Sequence, residues 1–136
     1  MYRIKSYQGV NDIKFGFDRF QIEEYMKIKP IKFRKSPYDK SETDMYEDLF
    51  VYYDDDGKCE AIEFNSNAEL VFGKISFFDK SYADIEKEFR NIDADIEIDD
   101  VGFNSIKYGI GIYAPNKEDS DSKIESVIIF KQGYYD

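Results

Sequence analysis

Glu47-Asp48-Leu49-Phe50-Val51-Tyr52-Tyr53-Asp54-Asp55-Asp56-Gly57-Lys58-Cys59-Glu60-Ala61-Ile62-Glu63-Phe64 is the stretch that decides the fold. Its first half, 47–54, is strand-like and apolar on both faces. Asp55-Asp56-Gly57 supplies the residues a tight turn demands, and 58–64 returns as a second strand. A β-hairpin is therefore predicted, with its turn at 55–57. A calcium loop is the competing reading, because Gly57, Asp54, Asp56 and Glu63 fall at EF-hand positions. The first ligand position is Tyr52, however, and the flanks alternate as strands rather than helices, so the turn is preferred.

Composition agrees with a sheet. Ile, Val, Tyr and Phe account for 46 of the 136 residues, and Leu and Ala for seven. Branched and aromatic side chains suit a pleated surface, whereas Leu and Ala favour helices. Two helices are nevertheless legible. Asp18 begins one with capping-box spacing to Gln21, a buried stripe of Ile22, Tyr25 and Met26, and a stop before Pro30. Ser81 begins the other, with Tyr82, Ile85, Phe89 and Ile92 on one face. Ile31 and Phe33 read as a strand, residues 36–46 as a polar loop, and 106–112 and 123–131 as strands.

The result is one α+β domain over 1–136: an antiparallel, strand-rich sheet with two packed helices. Residues 9–66 and 73–131 follow the same order of strand, helix, strand and hairpin. Gly57–Ile62 aligns with Ser122–Val127. Divergent tandem copies explain this, as does the general likeness of amphipathic hairpins, and the sequence leaves both open.

Charge excludes more than it assigns. The net charge is -10, with no His, no Trp and one Cys. A disulfide framework, a Cys/His zinc site, a His-containing triad and a basic nucleic-acid binder are all disfavoured. Cys59 reads as a packing residue, with no His to activate it. Gly109-Ile110-Gly111 lacks the third glycine of a dinucleotide fingerprint. No metal or other cofactor is expected, and no carboxylate pair stands out as catalytic. No apolar run reaches membrane-spanning length, and the N-terminus lacks the apolar core of a signal peptide, so a cytoplasmic protein with no membrane partner is expected.

The positive signals are acidic and aromatic. Residues 79–100 hold nine acids and three bases. In a strand, Asp93, Asp95, Glu97 and Asp99 would share one face, with Asp100 beside them. That row reads as a solvated sheet edge or as a docking surface for a basic partner. Tyr134 and Tyr135, near the end of the chain, are candidate contact residues because tyrosine pairs an apolar body with a polar tip.

The run Gly9-Val10-Asn11-Asp12-Ile13-Lys14-Phe15-Gly16-Phe17-Asp18, with a helix after it, resembles the opening of units in small bacterial α/β proteins. Tandem units of this kind are similar to the β-lactamase-inhibitor-protein architecture. A single unit is similar to the lipoprotein domain of the outer-membrane assembly machinery. The acidic character also resembles bacterial immunity proteins. The second unit departs from the pattern, with Phe77-Phe78 in place of Phe-Gly. The resemblance implies protein binding rather than catalysis. The leading expectation is a non-enzymatic inhibitor of the immunity type, which neutralises a basic toxin, such as a nuclease, by covering its active surface. The alternatives are an assembly subunit of structural or phage type, and a small carboxylate-based enzyme.

Overall fold

In the computed structural model, residues 1–135 are described. The fold is α+β, with two helices and two sheets among these residues. The N-terminal strand β1 (Tyr2–Lys5) precedes a short hairpin, β2 (Gly9–Val10) and β3 (Ile13–Lys14). Helix α1 (Arg19–Met26) leads to β4 (Ile31–Phe33), β5 (Thr43–Met45), β6 (Leu49–Tyr53) and β7 (Cys59–Asn65). The second unit repeats the order: hairpin β8 (Leu70–Phe72) and β9 (Ile75–Ser76), then helix α2 (Tyr82–Arg90). It continues through β10 (Glu97–Asp99), β11 (Gly102–Ser105), β12 (Ile110–Tyr113) and β13 (Ser126–Phe130).

The predicted hairpin is present as β6 and β7. Asp54 Oδ1 accepts the backbone N–H groups of Asp56 (2.9 Å) and Lys58 (3.0 Å), and Gly57 takes φ +75°. Asp54 therefore serves the turn. Its carboxyl is held below the usual range, because these backbone donors and Lys131 outweigh the opposing effect of burial.

Both helices start where their caps predict. Asp18 accepts the Gln21 N–H at 2.9 Å while the Gln21 side chain accepts the Asp18 N–H at 2.9 Å, closing a capping box. Ser81 accepts the Asp84 N–H at 3.2 Å. The stripe on α1 is narrower than its periodicity suggests: only Ile22 is buried, and Tyr25 and Met26 pack at the margin. On α2, Tyr82, Ile85 and Phe89 are buried.

Two local readings are corrected. Residues 36–46 are not all loop, since Thr43–Met45 forms β5. Residues 106–112 are not one strand. A turn at 106–109, with Gly109 at φ +71°, separates β11 from β12 and leaves Ile106 exposed.

The large sheet has the order β10-β11-β12-β13-β7-β6-β5-β4, and the small one β3-β2-β1-β8-β9. The two four-stranded halves meet along β7 and β13. Their pairs are Ala61–Phe130, Ile62–Ile129, Glu63–Ile128, Phe64–Val127 and Asn65–Ser126. Exchanging the two strands turns each pair into another of the set and Glu63–Ile128 into itself. A local two-fold axis of this strand pair thus passes through Glu63 and Ile128, as in any antiparallel pair, and the wider likeness of the units rests on their element order and caps. Each helix cap also bridges the lysine before its unit's last strand, Asp18 to Lys58 and Ser81 to Lys123. The units are therefore built alike, and β1, between the two hairpins, has no counterpart.

One face of the large sheet is buried. Directly opposed residues point to the same side. One inner row therefore runs Leu49–Phe64–Val127–Ile112–Phe103, and another Val51–Ile62–Ile129–Ile110. These residues join Ile4, Val10, Ile13, Ile22, Leu70, Ile75, Ile85 and Phe89 in one cluster, so the helices and small sheet cover this face. Asp44 lies on the same side, fully buried, where Arg19 Nε (3.0 Å) and Tyr53 Oη (2.8 Å) donate to it. No helix among the described residues is long and apolar enough to cross a membrane.

Candidate functional site

Among the described residues, no helix or sheet covers the opposite face of the large sheet, and Tyr7, Tyr134 and Tyr135 pack over it only at Phe130. Its central row, read across eight strands, is Ile31–Met45–Phe50–Glu63–Ile128–Gly111–Asn104–Glu97. A neighbouring row runs Asp99–Gly102–Tyr113–Ser126–Asn65. Toward the other end of these strands, Tyr52, Ala61 and Phe130 form a small second cluster with Tyr7, Phe50, Ile128 and Tyr134 around it.

Glu63 sits at the middle of this face. Tyr52 Oη donates to its Oε1 at 2.5 Å and Ser126 Oγ to its Oε2 at 2.9 Å. Both carboxylate oxygens are engaged across three strands, so Glu63 ties the outer face together. Burial and this bond push the Tyr52 phenol well above its ordinary range. Gly111 is small for a local reason. A Cβ there would lie 2.6 Å from Asn104 Oδ1 and 2.9 Å from the Ile128 side chain.

The face changes character from end to end. At the β4 end, Ile28 and Ile31 are each 64% exposed, and a depression of about 760 Å³ runs beside Ile31, Met45 and Phe50. Phe33 and Phe50 pack edge to face at 5.8 Å between centroids. At the β10 end, Glu97 and Asp99 are exposed and Tyr113 is 43% exposed. About the β7–β13 pair, the central row sets apolar Ile31, Met45 and Phe50 against Glu97, Asn104 and Gly111.

Asp93 is not in the acidic row. Strand β10 covers only 97–99, and Asp93 lies in the turn after α2 with 3% exposure. Its Oδ2 accepts the Ser105 hydroxyl at 2.7 Å and its Oδ1 the Asp95 N–H at 3.0 Å. The alternation 93-95-97-99 breaks because the helix exit needs an acceptor there. Asp95 is exposed in that turn, and Asp100 in the turn before β11. Glu97 and Asp99 alone share a strand face, although Asp99 Oδ1 also accepts the Val101 N–H at 2.8 Å.

Tyr134 and Tyr135 follow β13 and are not part of the acidic strand β10. The chain folds back after β13 so that Tyr134 stacks on Phe130 at 5.7 Å and Tyr135 meets the same ring edge-on at 4.9 Å. Tyr134 is half-buried, and burial, then Tyr135, Glu60 and Glu63 beside it, push its phenol up to about 12. Tyr135 is 58% exposed. Sequence reading does not place Phe50, Glu63, Tyr113 and Ile128 on this face, and weighs Glu63 only as a calcium-loop position. Their common face follows from the β7–β13 pairing, which strand alternation alone does not fix.

Among the described residues, no group of three or more His, Cys, Asp or Glu is placed to hold a metal ion. Cys59 is buried, and burial pushes its thiol up to about 12. Comparison with known proteins gives no match: no protein family, no curated protein and no solved structure matches this chain.

Proposed function

We propose that the chain is a non-enzymatic protein-binding inhibitor of the immunity type, which covers the active surface of a basic partner such as a toxin nuclease. The observation that carries this reading is the outer face, apolar around Phe50 and Ile128 at its centre and acidic at its β10 end. Aromatic side chains on a rigid sheet bury large area at small entropic cost, which suits a contact centre. Exposed carboxylates at the rim attract a cationic partner and speed encounter. Glu97, Asp99 and Tyr113 supply the acidic approach, Phe50 and Ile128 the apolar centre, and Tyr135 a contact at the far margin. Asp95 and Asp100 add to the field. Carboxylates set against the partner's phosphate-binding Lys and Arg residues block substrate without any chemistry on this chain.

The test is binding kinetics against the partner at low and high salt. Glu97→Gln/Asp99→Asn lowers the on-rate, and the difference shrinks as salt rises, because steering acts over a Debye length of about 8 Å at physiological ionic strength. An unchanged on-rate at low salt contradicts the acidic approach.

A further inference from the structure

We propose that β4 and β10, the two ends of the large sheet, join head to tail between copies of this chain, so that the protein self-associates through its sheet edges. Among the described residues, each of these strands has a hydrogen-bonded neighbour strand on one side only. The eight strands are antiparallel throughout, so the first and last run in opposite directions. A second copy translated along the sheet therefore sets its β4 antiparallel to β10, with buried face continuing buried face.

Charge selects that encounter. Residues 27–35 carry five bases and no acid, and residues 94–100 carry four acids and no base. Charge on an edge strand ordinarily prevents edge-to-edge pairing. One sign at both ends would forbid every such contact. Opposite signs forbid β4 against β4 and β10 against β10, and favour β4 against β10. Antiparallel docking brings the start of β4, preceded in the chain by Lys29 and by Lys27 at the C-cap of α1, to the end of β10, with Asp99 and, just after it, Asp100. Ile31 and Ile98, 64% and 42% exposed, lie on these edges and lose water in the contact. Because the two surfaces differ, the contact is heterologous and does not close on itself as a dimer.

The contact is small, so it belongs to the weak class, observable at about 0.1 to 1 mM protein. Sedimentation velocity of the chain alone, without any partner, tests it independently of the proposed function. At about 0.05 M salt the wild type forms species beyond dimer as concentration rises, and at about 0.5 M salt this is lost. Asp99→Lys/Asp100→Lys and Lys27→Glu/Lys29→Glu are each monomeric alone, and an equimolar mixture associates again because its edges are complementary. Circular dichroism confirms that both variants fold. A wild type that stays monomeric at about 1 mM, a closed dimer as the end point, or a mixture that fails to associate overturns the proposal.

Discussion

Replacing Asp93 separates the structure from the acidic row it interrupts. Ser105 Oγ already accepts the Tyr108 N–H at 3.3 Å, so its own proton is committed to Asp93 Oδ2. The Asp95 N–H is committed to Asp93 Oδ1. Two donors thus need two acceptor oxygens at a site with 3% exposure. Asparagine offers one oxygen, so Asp93→Asn leaves one donor unmatched and costs about 1–2 kcal/mol. Alanine offers none and strands the fully buried Ser105 hydroxyl as well. Hydrogen bonds to charged groups contribute about 1.5–3 kcal/mol each, and the relief of desolvating the carboxylate offsets part of the sum. Asp93→Ala therefore costs about 3 kcal/mol. For a chain of 136 residues this lowers Tm by about 10 °C. Exposed Asp95→Asn and Glu97→Gln stay within about 0.5 kcal/mol of wild type. Urea and thermal unfolding by circular dichroism measure all four. If Asp93→Ala unfolds like the surface variants, the buried acceptor reasoning is wrong.

Three further outcomes are expected. Cys59 reacts with a thiol reagent only as fast as the protein opens, since its thiol is buried and pushed up to about 12; rapid reaction of the native protein contradicts this. Burial first, then neighbouring carboxylates, hold the Tyr46 phenol up to about 12 and those of Tyr2, Tyr53 and Tyr82 higher still, so the native state keeps protons that the unfolded chain releases near pH 10. Their contribution is fully present below pH 10 and is lost as pH rises above it, so the phenolate absorbance of these four tyrosines appears together with unfolding rather than before it. Gly102→Ala costs about 2–5 kcal/mol, because at φ +153° a Cβ would stand 1.8 Å from the Ile112 carbonyl oxygen; calorimetry checks it, and a Tm equal to wild type refutes the close approach.

Much of the fold was legible because its signals are local. The Asp55–Gly57 turn, the Asp18 and Ser81 caps and the stripe on α2 each lie within a few residues of one another, and each formed where expected. Pairings between distant segments were not legible. Nothing near Tyr2 indicates that β1 lies parallel to β8 at the centre of the small sheet. Nothing near Ile128 announces its position opposite Glu63. Asp93 misled because alternation of charge describes a strand only if a strand is there, and the exit of α2 took that residue for its own hydrogen bonds. The candidate face was half legible: Glu97, Asp99 and Tyr135 are exposed as expected, while its apolar centre depends on register across the sheet.

The central claim is that the outer sheet face meets a basic protein. The direct measurement is the affinity of that protein, captured from source-cell lysate and purified, for wild type, for Phe50→Ala/Tyr113→Ala on the outer face, and for Phe20→Ser, 76% exposed and outside the face's rows. Calorimetric titration, at a temperature where circular dichroism shows every variant folded, is predicted to show wild-type affinity for Phe20→Ser and a loss of about tenfold or more for the outer-face pair. Equal affinity for all three, or a loss only with Phe20→Ser, contradicts the account.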